Sequence, residues 1–155
     1  IQNKFLWRKY NQTKDAKKRK LKGAVQEKFL FHGSGSNPPR NLYKDEVGFD
    51  MRFSRAGLWG KAVYFAESAD SSNNYSHPVP GKSKTKQMLI AKVLLGDCVV
   101  LHSNQSLTMP PLKPRADSSI MNEVRYDSVK GHGTDFYMLY SNSQAYPCYL
   151  LTYMC

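Results

Sequence analysis

The apolar positions of this chain change their rhythm once, near Gly23. Between Lys4 and Leu21, the residues Phe5, Leu6, Tyr10 and Leu21 recur too sparsely for a helix buried on two sides. The pattern predicts a surface helix with one anchoring face. Beyond Gly23, short apolar runs alternate with turn residues, as strands do. Phe29-Leu30-Phe31 ends at His32-Gly33, and Asn37-Pro38-Pro39 then breaks the chain and opens a short helix through Tyr43. A second strand is expected from Ala62 to Ala66, after the turn Gly57-Leu58-Trp59-Gly60. Ser68 to Tyr75 reads as a short helix capped by Ser68 or Asp70. His77-Pro78-Val79-Pro80-Gly81 and the lysines after it read as a loop, and Gln87 to Leu101 as one long strand or a bulged pair. From His102 to Asn122 no periodicity is present, so a long irregular loop is expected, of the kind that often carries function. Three strand-like segments close the chain: Val124 to Val129, Phe136 to Tyr140 and Ala145 to Tyr153. Helix early and strand late predict an antiparallel α+β domain rather than alternating βαβ units.

With 155 residues, 41% of them hydrophobic, the chain suffices for one domain with a sizeable core. It starts at Ile1 with no basic-then-apolar leader, so we expect a single domain excised from a longer multidomain protein, without a secretory signal. The most apolar stretch, Met88 to Leu101, is broken by Lys92, Gly96 and Asp97 and falls short of the roughly 20 residues that span a bilayer, so no membrane partner is expected. Cys98, Cys148 and Cys155 show neither C-x-x-C spacing nor a partnering pair of histidines. They read as reduced thiols of a nuclear or cytoplasmic protein, with no zinc site. The net charge of +11 favours anionic partners, and nine of the 23 basic residues lie between Lys4 and Lys22. The run Lys17-Lys18-Arg19-Lys20 suits a nuclear-import signal or a nucleic-acid patch, and suits a solvated helix face better.

The usual phosphate-loop, dinucleotide, zincin and nucleophile-elbow motifs are absent. Other segments stand in their place. Leu30-Phe31-His32-Gly33-Ser34, then Gly60-Lys61-Ala62-Val63-Tyr64-Phe65-Ala66, then Ser71-Ser72-Asn73-Asn74-Tyr75, with Tyr75 eleven residues after Tyr64, resemble the catalytic domain of the poly(ADP-ribose) polymerases. Tyr137-Met138-Leu139-Tyr140 and the run from Gln144 to Tyr153 resemble that family's last two strands. Each motif alone is weak, but their shared order across almost the entire chain is specific. Ile1-Gln2-Asn3, Leu6-Trp7 and Gly48-Phe49-Asp50-Met51-Arg52 are most similar to the mono-ADP-ribosylating members.

The resemblance implies a split antiparallel β-sheet with peripheral helices and a cleft for NAD, the donor of ADP-ribose, with no metal. It implies that His32 binds a hydroxyl of the adenosine ribose, and that Gly33 offers its backbone to the nicotinamide amide, where a missing side chain lets the ligand come close. Ser34 falls among the NAD-contacting positions, the Ser72 hydroxyl bonds the same amide, Tyr75 stacks on the nicotinamide and Tyr64 walls its other side. Without those motifs, His32 would read as a structural histidine and both tyrosines as core aromatics. Phe136 stands where polymer-forming members carry a glutamate that bonds the ribose and positions the acceptor. A phenyl ring can do neither. Asp135 is one residue off and, in a strand, faces the other way. Ala62 replaces a usual glycine, and Arg52 either binds a pyrophosphate oxygen or pairs with Asp50 or Glu46.

The expected activity is therefore transfer of single ADP-ribose units from NAD to protein acceptors, with release of nicotinamide. The expected ligands are NAD and nicotinamide-like inhibitors, and the segment from Ser103 to Asn122 is expected to rim the acceptor site. Two rivals stand beside it: a weak or inactive scaffold of the same fold that binds NAD or ADP-ribose, and a basic nucleic-acid-binding domain working through the amino-terminal lysines.

Overall fold

A computed structural model describes residues 1–114 and 123–155. Helix α1 (Lys4–Leu21) begins where the Asn3 side chain accepts hydrogen bonds from the N–H groups of Phe5 and Leu6. It ends at Lys22, whose left-handed backbone donates to the Lys18 carbonyl. Its anchoring face is Leu6 and Tyr10, packed with Val25, Leu94 and Tyr146. Phe5 is not part of that face. It lies outward, under the Lys9 ammonium.

The strands are β1 (Glu27–His32), β4 (Val63–Ala66), β5 (His77–Pro78), β6 (Thr85–Leu94), β7 (Cys98–Leu101), β8 (Ser128–Gly131), β9 (Phe136–Leu139) and β10 (Ala145–Met154), in one sheet ordered β10-β6-β1-β4-β9-β8-β7 with β5 beside β6. Strands β2 (Ala56–Gly57) and β3 (Gly60–Lys61) form a separate hairpin. The short helices α2 (Pro39–Lys44) and α3 (Ala69–Asn73) fall where expected. All pairings in the main sheet are antiparallel except β7 with β8.

Residues 87–101 are neither one strand nor a bulged pair. The chain leaves β6 at Leu94, crosses the sheet and starts β7 at its far edge. Gly96 makes this possible with φ +56, and a Cβ there would lie 2.5 Å from the Asp127 carboxylate. The strand expected from Val124 to Val129 is displaced to β8, because Asp127 is drawn towards α1 instead of into a ladder. Its carboxylate, about 5% exposed, accepts from Lys17 Nζ at 2.7 Å, Lys20 Nζ at 2.9 Å and the Asp97 N–H at 3.0 Å. Two of the four residues in the basic run thus pair with Asp127, Lys17 from a partly buried position and Lys20 from an exposed one. Of the expected irregular loop, residues 102–114 carry a single bridge, Leu112 with Arg125, while the part at 115–122 lies outside the described residues.

One feature of the sheet makes the site. Strand β1 pairs with β6 at six positions and β4 pairs with β9 at four, yet β1 and β4 share only Phe31 with Ala66. Past that rung the two halves diverge. Leu30, Phe65, Leu89, Val93 and Leu139 form one buried core with Leu42 and Phe49, and the last two also line the cavity at the gap. On the other face lies the cluster of Trp59, Ala62, Val129 and Met138.

Candidate active site

A cavity of about 670 Å³, within the usual range for ligand sites, opens where β1 and β4 part. His32, Gly33, Ser34, Tyr64, Ser72, Tyr75 and Phe136 all line it. The residues singled out from sequence come from four separate segments and meet at one place.

His32 takes over where the ladder stops. Its Nδ1–H donates to the Tyr64 carbonyl at 2.8 Å, and burial holds its pKa down to about 4 against the modest opposing pull of that bond. At neutral pH the ring is uncharged, and the bond to Tyr64 leaves Nε2 as the acceptor. Phe49 and Phe65 lie against it at centroid distances of 5.1 and 5.3 Å and fix its plane.

Tyr64 is gripped by the β2–β3 hairpin. Its hydroxyl donates to the Gly60 carbonyl at 2.8 Å and accepts the Trp59 N–H at 2.9 Å. The hairpin closes this tightly because residue 57 is glycine. A Cβ there would lie 2.7 Å from the tyrosine oxygen.

Gly33 has a reason beyond close approach of a ligand. A Cβ at 33 would lie 2.4 and 2.5 Å from the Tyr75 carbonyl carbon and oxygen and 2.7 Å from the Ser72 oxygen. The missing side chain lets the exit of α3 press against the end of β1, where the Gly35 N–H also donates to the Tyr75 carbonyl at 2.7 Å. Helix α3 is capped by Ser68, and the Asp135 carboxylate accepts from the Ser68 N–H at 3.1 Å and the Ser71 hydroxyl at 3.0 Å. Asp135, in the bend just before β9, is thereby turned to α3 rather than to the cavity, and fixes the helix that carries buried Ser72 and leads to exposed Tyr75.

Phe136 lies edge-on to Tyr75, with centroids 6.3 Å apart. Among the described residues, the one acidic residue lining the cavity is Asp50, and its carboxylate is held by Arg52, with contacts of 2.6 and 2.8 Å. Of the pairings expected for Arg52, the one with Asp50 is formed. Arg55, which sequence reasoning missed, lines the cavity instead and donates to the Ser36 hydroxyl at 3.0 Å. The signal for it was a cation in the glycine-bearing turn opposite His32-Gly33-Ser34. The Ser34 hydroxyl is buried at the cavity wall with no partner within the protein among the described residues, and such an orphan group fits a ligand that brings a polar atom to it. Ala62 is buried in the cluster around Trp59 and lines the cavity. Among the described residues, no three side chains of metal-ligating type gather, and no helix is long and apolar enough to cross a membrane.

A split sheet with an aromatic, glycine-walled slot at its seam defines an ADP-ribosyltransferase-type domain. The chain belongs to the poly(ADP-ribose) polymerase catalytic domain family, whose description it matches over residues 1–155, and NAD is that family's substrate. It is 35% identical over 99% of its length to a Dictyostelium discoideum protein named a probable poly(ADP-ribose) polymerase. It is 30% identical, again over 99% of its length, to the human protein mono-ADP-ribosyltransferases PARP14 and PARP12. The chain spans 42%, 8% and 21% of those relatives, respectively.

Proposed function

We propose that this single catalytic domain transfers one ADP-ribose unit at a time from NAD to protein acceptors and does not build polymers. What supports this reading is Phe136: the residue that the resemblance sets at the family's glutamate position brings a phenyl ring to the cavity, and the carboxylates of Asp50 and Asp135 are committed to Arg52 and to α3. NAD supplies a glycosidic bond whose cleavage develops positive charge on the ribose. The chain's own part is to hold and orient. Neutral His32 accepts a ribose hydroxyl at Nε2, Ser72 and the Gly33 backbone hold the amide, and Tyr64 and Tyr75 flank the flat ring. In the cell we place the protein in the nucleus or cytoplasm, in keeping with three cysteines that form no disulfide.

Incubation with labelled NAD tests this directly. Intact-mass analysis should show discrete additions of single ADP-ribose units on the protein itself or on a co-incubated acceptor. A ladder of polymer overturns the mono-transfer reading. No label, with nicotinamide still raising the melting temperature, establishes the scaffold reading instead. Salt-sensitive binding to nucleic acid that survives filling of the cavity would favour the third.

Arg55 should contribute to NAD affinity through the pyrophosphate, since its guanidinium is at the cavity with a neutral partner. Arg55→Ala should raise KM for NAD about tenfold with little change in kcat, the loss of a hydrogen bond to a charged group. Arg52→Ala should stay within about twofold of the parent. The reverse order in steady-state kinetics would return the role to Arg52.

A further inference from the structure

Among the described residues, the β2–β3 hairpin that grips Tyr64 has only two pairs, Ala56 with Lys61 and Gly57 with Gly60, and is joined to no other strand. A ladder that short does not hold itself in place. Its position must come from outside, and three contacts supply it. Gly60 runs so close to Leu107 that a Cβ would lie 1.8 Å from the Leu107 carbonyl oxygen. The Trp59 indole N–H donates to the Leu101 carbonyl at 2.9 Å, at the end of β7. The Tyr140 hydroxyl donates to the Trp59 carbonyl at 2.7 Å.

We propose that Tyr140 is a positioning residue for NAD, acting through the Trp59 turn to fix the Tyr64 ring that walls the nicotinamide. The inference rests on the reading of this cavity as the NAD site. Tyr140 lies directly after β9, four residues beyond Phe136, so one strand delivers a ring to the cavity at its start and a hydroxyl behind the wall at its end. The connection is continuous. Tyr140 fixes the Trp59 carbonyl, the Trp59 N–H meets the Tyr64 oxygen at 2.9 Å, and that oxygen donates to Gly60 at 2.8 Å. Trp59 is 4% exposed, so a carbonyl or N–H released here finds little water in exchange. Burial, and then the neighbouring Tyr64, push the Tyr140 hydroxyl well above the ordinary tyrosine range. It stays a donor at every working pH.

The test is a double-mutant cycle on Tyr140→Phe and Tyr64→Phe, read by calorimetric binding of nicotinamide, with hydrogen exchange of residues 56–61 measured in parallel on the ligand-free proteins. Tyr140→Phe should weaken nicotinamide about fivefold to tenfold and speed exchange of the Trp59 amide by a similar factor. In the Tyr64→Phe background the same change should have less than about a twofold effect on binding, because the two residues act as one unit. Trp59→Phe, which removes the indole bond to Leu101, should also speed exchange of the turn. Equal effects of Tyr140→Phe in both backgrounds, or unchanged exchange at Trp59, would overturn the proposal. Should the parent protein bind no nicotinamide, the NAD reading of the cavity fails, and the exchange measurement still decides whether Tyr140 fixes the turn.

Discussion

Replacing His32 with Ala should lower kcat/KM for NAD about a hundredfold, the scale expected when a polar contact to substrate is lost together with the group that orders its neighbour. The side chain has two jobs, one for each nitrogen. Nδ1–H secures the Tyr64 carbonyl where the ladder between β1 and β4 has ended, and in the proposed reaction Nε2 accepts a substrate hydroxyl. Because burial keeps the ring neutral with a pKa of about 4, the competent form persists far below the ordinary histidine range. The pH profile of kcat/KM should therefore show no inflection near 6.5 that disappears in His32→Ala. The same shift has a consequence for stability. The unfolded chain binds a proton at this residue near pH 6.5 and the folded one only near pH 4, so protonation favours unfolding. Stability from this residue declines as pH falls from about 6.5 to about 4, a slope that chemical denaturation at several pH values measures and that His32→Ala flattens.

Asp127→Ala should cost about 3–5 kcal/mol of folding stability, since it leaves Lys17, 12% exposed, as an unpaired buried ammonium. For a chain of this length the corresponding fall in Tm is roughly 6–20 °C, measured by thermal unfolding at neutral pH. Burial alone would raise the Asp127 pKa. The bonds from Lys17, the Asp97 N–H and Lys20 outweigh it and leave the pKa below the usual carboxylate value. Its contribution is thus present above the unfolded pKa, near 3.9, and is lost only as the solution is acidified through the lowered folded value. Adding Lys17→Met to Asp127→Ala should recover part of the loss by removing the stranded charge. If Asp127→Ala unfolds at the parent temperature, the ion cluster is not what ties α1 to the sheet.

Local chemistry made much of this molecule readable in advance. The proline at the start of α2, the serine before α3 and the turns around β1, β4 and β9 each act within a few residues, and each element falls where its signal lies. The seven site residues were legible for a different reason, the family resemblance carried by the order of the motifs, and all seven line one cavity. What was illegible depends on partners distant in sequence. An apolar run interrupted by Leu95-Gly96-Asp97 looks like one strand with a bulge, and only Asp127, thirty residues on, shows that the chain must turn there. Likewise the choice between Arg52 and Arg55 hangs on which guanidinium Asp50 takes, and Gly33 owes its identity partly to the backbone of Tyr75, forty-two residues away. The hairpin of β2 and β3 gives no periodic signal, because two-residue strands are too short to have one.

The solitary rung between Phe31 and Ala66 turns the substrate slot into a seam between two plates. Elsewhere neighbouring strands are riveted by repeated backbone bonds, but here the fastening passes to side chains and to α3, tethered to Asp135 on one plate and to Gly35 on the other. A molecule lodged in the seam acts as a splice, stiffening strands it never touches. Loosening the Asp135 tether should widen the slot while leaving its lining residues unchanged.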